Sequence, residues 1–462
     1  MKCKSGIFAA LACILLLGAC GCERPDSIVE PQPQDTTEVT EPADLSLIKQ
    51  SVSVTDNWIW SGKPQISIHI ENPNKAAVRL GILVKISTDA KKAVTEINDS
   101  VDIAGNGTLD YVATTTEDLA PGFYRAVCFV NGKNARSFIF GIDPFDIVSA
   151  PDKQPDFDQF WQAAKDQLAG VEMNATLTEI PEHSSSARKV YLVEMYSVPD
   201  GLTGDPVKIR GYYCEPQDGK QHPVVMHFYG YDTQGTKSKC ECPYGGNSKY
   251  AEFYLSHRGQ YLNNRPAGTN PGIEEATTNI YGDWFAYHFG DKDSYYYRGA
   301  YMDVVQAVRF MATRETSDMT KLFAEGSSQG GALTYACAAL SDYPFTAIAA
   351  NVAFMGDFAD AITIQSLAYW EMNDHRGSMT NEQILQSMSY FDIKNMTPRI
   401  SCAVLASSGL QDDVCPPRLN VVPFNNLATP AAQKEYIFGP EMGHDYPTGW
   451  TSKMNALFKK YM

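Results

Sequence analysis

Long apolar runs are nearly absent from this chain of 462 residues. Only residues 7–19 form an uncharged hydrophobic stretch, shorter than the roughly 20 residues a bilayer-spanning helix needs, so a multi-span membrane protein is excluded. Positive charge is scarce as well. Lys and Arg number 38 against 54 Asp and Glu, a formal net charge of −16, and loss of Lys2 and Lys4 with an N-terminal leader would deepen it. Such an excess repels a phosphate backbone, so nucleic acid is not an expected partner. The eleven cysteines fall to eight once Cys3, Cys13 and Cys20 are set aside. These eight are scattered and too few for a disulfide scaffold, which leaves paired or free thiols. Cys240-Glu241-Cys242 has the wrong spacing for a zinc ribbon and no histidine cluster accompanies it, so no metal is expected. Internal repeats are lacking too. With 44% apolar and 20% charged residues the chain is neither disordered throughout nor collagen-like. At roughly 150 residues per domain its length suggests two or three domains.

The N-terminus has a basic start, a short apolar core and the small residues of Leu17-Gly18-Ala19-Cys20, the marks of a secretory signal. The last four resemble the lipobox of bacterial lipoproteins, which makes 1–19 a signal peptide and Cys20 the lipidated first mature residue. Acyl chains on Cys20 would hold the protein to a membrane by burying CH₂ groups at roughly 0.8 kcal/mol each. Residues 23–44 then carry seven acids, one Arg and four Pro, too little apolar surface to offset chain entropy, and 20–44 reads as a disordered tether. Acidic residues soon after the cysteine resemble the export signal of surface lipoproteins. The expected location is the bacterial outer membrane, facing the periplasm or the cell surface.

From 45 to 143 the pattern has period two. Ile66, Ile68 and Ile70 alternate with polar neighbours, as do Val78, Leu80, Ile82, Val84 and Ile86, and Asn131-Gly132 is a hairpin signal. About a hundred residues of short strands predict an all-β, immunoglobulin-like sandwich. No catalytic cluster lies in it, and His69, in the opposite register to Ile68 and Ile70, reads as a surface residue. Its expected roles are spacer, docking module or sugar binder. After a linker the remainder, 144–462, alternates strands and helices. Strands are predicted at 189–198, 207–214, 224–228, 321–324, 347–352 and 403–407, and helices at 157–168, 301–314, 332–340 and 450–461. The helix at 301–314 reads as amphipathic. This order implies α/β architecture, a mostly parallel sheet with helices on both faces.

Gly326-Ser327-Ser328-Gln329-Gly330 fits G-x-S-x-G, a short pattern that chance also supplies. Its context adds weight. It follows a short strand and opens a small-residue helix, the strand–turn–helix of a nucleophile elbow; the alternative is a Gly-rich turn without chemistry. A serine hydroxyl needs a base to take its proton and an acid to orient that base. In α/β-hydrolases these follow in the order Ser, acid, His. Two histidines lie beyond Ser328. His375 sits in a polar, helical insertion, whereas His444 lies in a loop after the apparent strand Tyr436-Ile437-Phe438, where α/β ligand sites occur. His444 is therefore the base. For the acid, Asp412 and Asp413 both fit, and spacing does not choose between them; one of them would serve equally as the cap of the next helix. An oxyanion hole needs one N–H from Gln329 and another from the loop Phe228-Tyr229-Gly230-Tyr231.

Taken together these segments resemble the acetyl xylan esterase and cephalosporin C deacetylase family, carbohydrate esterase family seven. The resemblance rests on His257-Arg258-Gly259-Gln260, Tyr296-Tyr297-Arg298-Gly299, the Ser328 elbow, Ser389-Tyr390-Phe391-Asp392, Gly409-Leu410-Gln411-Asp412-Asp413-Val414-Cys415-Pro416-Pro417 and Gly443-His444. They occur in the family's order over about 150 to 462 and leave the sandwich outside. The resemblance selects Asp412 as the acid and implies Ser328 as nucleophile, His444 as base, Tyr231 and Gln329 as the oxyanion pair, and Arg258 and Gln260 as bracing residues. For Arg258 the plainer alternative is a structural ion pair. It further implies deacetylation of xylan fragments, small sugar acetates and acetylated cephalosporin without metal or cofactor, and assembly into a homo-oligomer, usually a hexamer. Two departures bear on the acyl pocket: Tyr229 replaces the His of the family's F-H-G-Y, and Asp445 the Glu of its H-E.

The sequence thus reads as a lipid-anchored serine esterase acting on acetylated oligosaccharide or polysaccharide. The alternatives are an esterase for a bulkier acyl group such as feruloyl, a peptidase on the same fold, or an inactive surface binder whose function lies in the sandwich.

Overall fold

The computed structural model describes residues 42–200, 204–234, 238–243, 249–262 and 279–462. The signal peptide, Cys20 and most of the tether lie outside the described residues. Among the described residues no helix is long and apolar enough to cross a membrane.

The N-terminal part is all-β. One sheet orders β1 (Lys49–Ser53), β3 (Ile66–Asn72) and β6 (Gly107–Ala113); the other orders β2 (Ile59–Trp60), β8 (Lys133–Ile142), β7 (Gly122–Val130), β4 (Val78–Thr88) and β5 (Ala93–Ile103). The period-two pattern causes this directly, since Ile66, Ile68, Ile70, Leu80, Ile82 and Val84 are all buried while their neighbours are not. Asn131 and Gly132 both have positive φ, 47° and 76°, and join β7 to β8 in a tight hairpin. His69 stays at the surface, with Nδ1 2.7 Å from Asp110.

The C-terminal part is built on a second sheet, ordered β17 (Lys434–Gly439), β16 (Ala403–Gly409), β15 (Ala347–Asn351), β14 (Ser317–Ser327), β12 (His222–Phe228), β13 (Ala251–Ser256), β11 (Pro206–Pro216), β10 (Arg188–Pro199) and β9 (Thr176–Glu179). From β17 to β13 neighbouring strands are parallel; β11, β10 and β9 extend the edge antiparallel. One face packs on α1 (Phe157–Ala169), α2 (Tyr296–Ala312) and α3 (Gln329–Leu340). The other lies beneath α9 (Trp450–Lys460), with Val225, Phe323, Ala349 and Leu405 against Trp450 and Phe458. This is an α/β-hydrolase fold preceded by an all-β region.

Helix α2 and strand β13 are among the elements that differ from the sequence reading. Helix α2 begins five residues earlier than predicted and is buried nearly all round rather than amphipathic, because it is wedged between the sheet, α1 and α3. Strand β13 carries Glu252, whose charge interrupts the apolar pattern; Arg188 Nη2 at 2.8 Å and His227 Nε2 at 3.4 Å neutralise it. Between β15 and β16 four short helices insert: α4 (Phe358–Ile364), α5 (Leu367–His375), α6 (Asn381–Met388) and α7 (Ile393–Met396). Helix α8 (Pro417–Asn425) follows β16.

Candidate active site

Ser328, between β14 and α3, has φ 60° and ψ −122°, a conformation that costs a non-glycine residue on the order of 1–3 kcal/mol. Its surroundings over-determine that turn. The Ser328 N–H donates to Asn351 O at 3.0 Å, and Phe354 N–H donates to Ser328 O at 3.0 Å, pinning the elbow to the end of β15. The flanking glycines are needed for close approach. A Cβ at Gly326 would stand 2.3 Å from Gly330 O, and one at Gly330 2.3 Å from Phe228 O.

The hydroxyl so raised meets a relay. Ser328 Oγ is 2.9 Å from His444 Nε2, and His444 Nδ1 is 2.9 Å from Asp412 Oδ2. Asp412 is buried, and its Oδ1 accepts the N–H groups of Val414 at 2.9 Å and Cys415 at 2.8 Å. One carboxylate thus folds its own loop with one oxygen and orients the imidazole with the other. Asp413 points to solvent. Neither aspartate caps α8, whose N-cap is Pro416, so the capping alternative does not hold. The loops bearing acid and base touch: Gln411 N–H donates to Met442 O at 3.0 Å, and a Cβ at Gly409 would stand 2.2 Å from that oxygen.

Ser328, His444, Gly230 and Tyr231 line one cavity of about 460 Å³. Gln329 opens α3, so its N–H has no intrahelical acceptor. Gln260 Nε2 donates to Gly230 O at 3.0 Å and Ser238 O at 3.4 Å, which fixes the loop carrying Tyr231. The Tyr231 hydroxyl donates to Asp283 Oδ1 at 2.7 Å, and burial with that carboxylate pushes the phenol well above its ordinary range. Arg258 makes a buried pair with Asp303 of α2, through Nε at 2.9 Å and Nη2 at 2.7 Å, and so acts from the framework rather than on the serine.

Residue-level reading left His257 without a role. Its Nε2 lies 2.8 Å from Gln329 Nε2, an amide donor, so Nε2 accepts and the proton sits on Nδ1. Nδ1 in turn is 2.9 Å from Tyr296 Oη. Complete burial lowers His257 to about 4, which keeps it neutral. Tyr297 Oη donates to Gln329 Oε1 at 2.8 Å. The His257–Gln260 turn therefore braces the nucleophile elbow through Gln329 and the facing loop through Gly230. Only its place in the motif hinted at this.

His227 and Glu325 also line this cavity, with His227 Nδ1 2.7 Å from Glu325 Oε1. Burial alone would lower its pKa, but the Glu252 and Glu325 carboxylates on either side raise it to about 9. Among the described residues Cys128, Cys214, Cys240, Cys337, Cys402 and Cys415 are free thiols, and Cys242 Sγ lies 3.0 Å from His183 Nδ1. One cluster of metal-ligating types, Asp283, Glu371 and His375, brings its donor atoms within 4.8 Å of one another at the surface; there Asp283 is already engaged by Tyr231.

Residues 147–461 match the family described as acetyl xylan esterase (AXE1). The chain belongs to this family and is a hydrolase. An acetyl esterase, Axe7A, of Xylanibacter ruminicola is 27% identical over 343 residues, 74% of each chain. An acetyl xylan esterase structure from a Paenibacillus species has 27% identity and a TM-score of 0.55, covering 69% of this chain and 98% of that one. Acetyl xylan esterase 1 from a Thermoanaerobacterium species superposes with a TM-score of 0.56 at 22% identity and the same coverage. The family match begins where the sandwich ends.

Proposed function

We propose that this esterase removes O-acetyl groups from acetylated xylan, xylo-oligosaccharides and other acetylated sugars by an acyl-enzyme mechanism. The observation that carries it is the hydrogen-bonded relay Ser328–His444–Asp412, opening on a cavity flanked by Gly230 and Tyr231. Ser328 Oγ attacks the acetyl carbonyl while His444 Nε2 takes its proton and Asp412 steadies the imidazolium. The N–H groups of Tyr231 and Gln329 receive the oxyanion. Collapse expels the sugar oxygen, which takes the proton back from His444, and leaves acetyl-Ser328. Water, deprotonated by His444, then releases acetate. Every group needed is an amino-acid side chain or backbone N–H, so the reading calls for no cofactor.

The test is acetate release from acetylated xylo-oligosaccharides and a synthetic acetyl ester, comparing wild type with Ser328→Ala. Loss of several orders of magnitude in the variant supports the reading. Cleavage of bulkier acyl esters with no acetate release overturns it.

The same reading places the enzyme at the bacterial outer membrane as a lipoprotein, signal-processed and held by lipidated Cys20, facing the periplasm or the cell surface. Support comes from Leu17-Gly18-Ala19-Cys20 and the acidic tether. Labelling of cells with a tagged fatty acid should mark wild type and not Cys20→Ala. A homo-oligomer is the expected assembly, read by sedimentation of the chain lacking residues 1–20.

A further inference from the structure

A second cavity, about 500 Å³, opens where the sandwich meets the hydrolase fold. Lys91, Phe123 and Arg125 line it from the sandwich, and Leu367, Trp370 and Asp413 from the other side. Lys91 sits in the β4–β5 turn, and Arg125 projects from β7 with Nη1 donating to Ser137 Oγ at 3.3 Å. Among the described residues neither cation is paired with a carboxylate. The third cation at this cavity, Arg418, is committed to Asp89 at 2.6 Å and Asp360 at 3.1 Å. Asp413 is the opposing exposed carboxylate. In a chain with a net charge of −16, two uncommitted cations facing one cavity favour an anionic ligand. Trp370 is 49% exposed at the rim, an aromatic face with water on one side. An aromatic platform combined with a few convergent polar groups is the composition of a small-molecule pocket.

The cavity shares a residue with the catalytic relay. Asp412 forms part of its wall, and two hydrogen bonds connect Asp412 to Ser328. Helix α5, which carries Trp370, also carries Glu371 and His375 beside Asp283, the acceptor of the Tyr231 hydroxyl. Helix α5 thus links the groove to Tyr231, which lines the cavity of Ser328. We propose that the groove is a glycan subsite, built jointly by the sandwich and the hydrolase fold, for a carboxylate-bearing sugar. Trp370 stacks on the ring, and Lys91 and Arg125 read the carboxylate. The inference rests on the deacetylase reading and deepens it: the substrate class becomes an acidic, acetylated polysaccharide such as a uronate-substituted xylan.

The test is calorimetric titration of the full mature chain with two non-acetylated xylo-oligosaccharides of equal length, one bearing a uronic acid and one neutral. Wild type should bind the acidic one about tenfold more tightly, the scale of one or two charge-assisted hydrogen bonds. K91Q/R125Q should erase that ratio, and Trp370→Ala should weaken both ligands together. The ratio is read within each protein, so a general loss of folded protein does not mimic the effect. Equal binding of the two ligands by wild type, or a ratio untouched in K91Q/R125Q, overturns the subsite. Acetate release is assayed in parallel: a binding preference with no deacetylation of any substrate overturns the deacetylase reading and leaves the subsite standing.

Discussion

Asp412 and Asp413 differ by one position and wholly in surroundings, which makes them a sharp test of the relay. Asp412→Asn keeps the shape but loses the carboxylate that holds His444 Nδ1–H, and kcat should fall by about 10³–10⁴. Asp413→Asn should stay within about twofold of wild type on a small acetyl ester, a difference of less than 0.5 kcal/mol. A larger loss in Asp413→Asn would break the assignment. His227 offers a second test, in pH rather than rate. Its folded pKa of about 9 lies above the ordinary value of 6.5. The stabilisation from its charged form is therefore complete below about pH 6.5 and disappears as pH rises through 9. Melting temperature should drop between about pH 6.5 and 9.5 in wild type, reflecting on the order of 2–3 kcal/mol. In His227→Gln it should start lower at pH 6.5 and lack that drop. At this scale the sequence was most informative where chemistry is local: the elbow motif and the Ser–acid–His order lead to the three residues that the structure brings together. Spacing could not separate Asp412 from Asp413, because only the fold decides which carboxylate turns inward. It also could not reveal Gln329–His257 or His227–Glu325, which join residues far apart in the chain.

The strand–turn–helix of β14 and α3 shows why the elbow tolerates little change. Gly330→Ala would drive a Cβ to 2.3 Å from Phe228 O, a backbone atom of β12 that cannot move without the sheet. The expected cost is about 1–3 kcal/mol or more, with loss of acetyl ester hydrolysis. Gly81→Ala in β4 is the control, since nothing lies within 4 Å of its added Cβ, and its melting temperature should be close to wild type. The pair between the turn after β13 and α2 is more demanding. Asp303→Asn would leave Arg258 buried with an unmatched charge, and unfolding by urea should show a loss of about 3–5 kcal/mol. Elements with one uninterrupted apolar face, such as β4 and β12, could be read directly. Those missed share a physical cause: their stability comes from partners. Glu252 disguises β13 until Arg188 and His227 are placed beside it, and the Tyr295-Tyr296-Tyr297 run gives no helical period until the packing around α2 is known.

Across the whole molecule the sandwich packs against the hydrolase fold through a shared apolar cluster. Leu410, Val421 and Val422 are buried in the same apolar cluster as Ile66, Leu80, Phe123 and Phe140. Arg136 reaches Glu441 at 2.6 Å, in the loop that carries His444. Gln411, immediately before Asp412, accepts Ile139 N–H at 2.9 Å and donates to Ile139 O at 3.0 Å and Pro440 O at 2.8 Å. Its side chain thus acts as an added strand partner for β8 and ties the acid loop, the base loop and the sandwich together. Sequence periodicity identified the sandwich but could not show this seam, since the residues forming it look like ordinary loop and helix positions. Gln411→Ala removes three hydrogen bonds without touching any reacting atom. Asp412's loop would then lose its hydrogen bonds to the sandwich, and small displacements of a catalytic group are costly. Turnover of a small acetyl ester should fall about tenfold with KM little changed, while a Gln411→Ala protein that retains full kcat would show that the sandwich supports the fold alone.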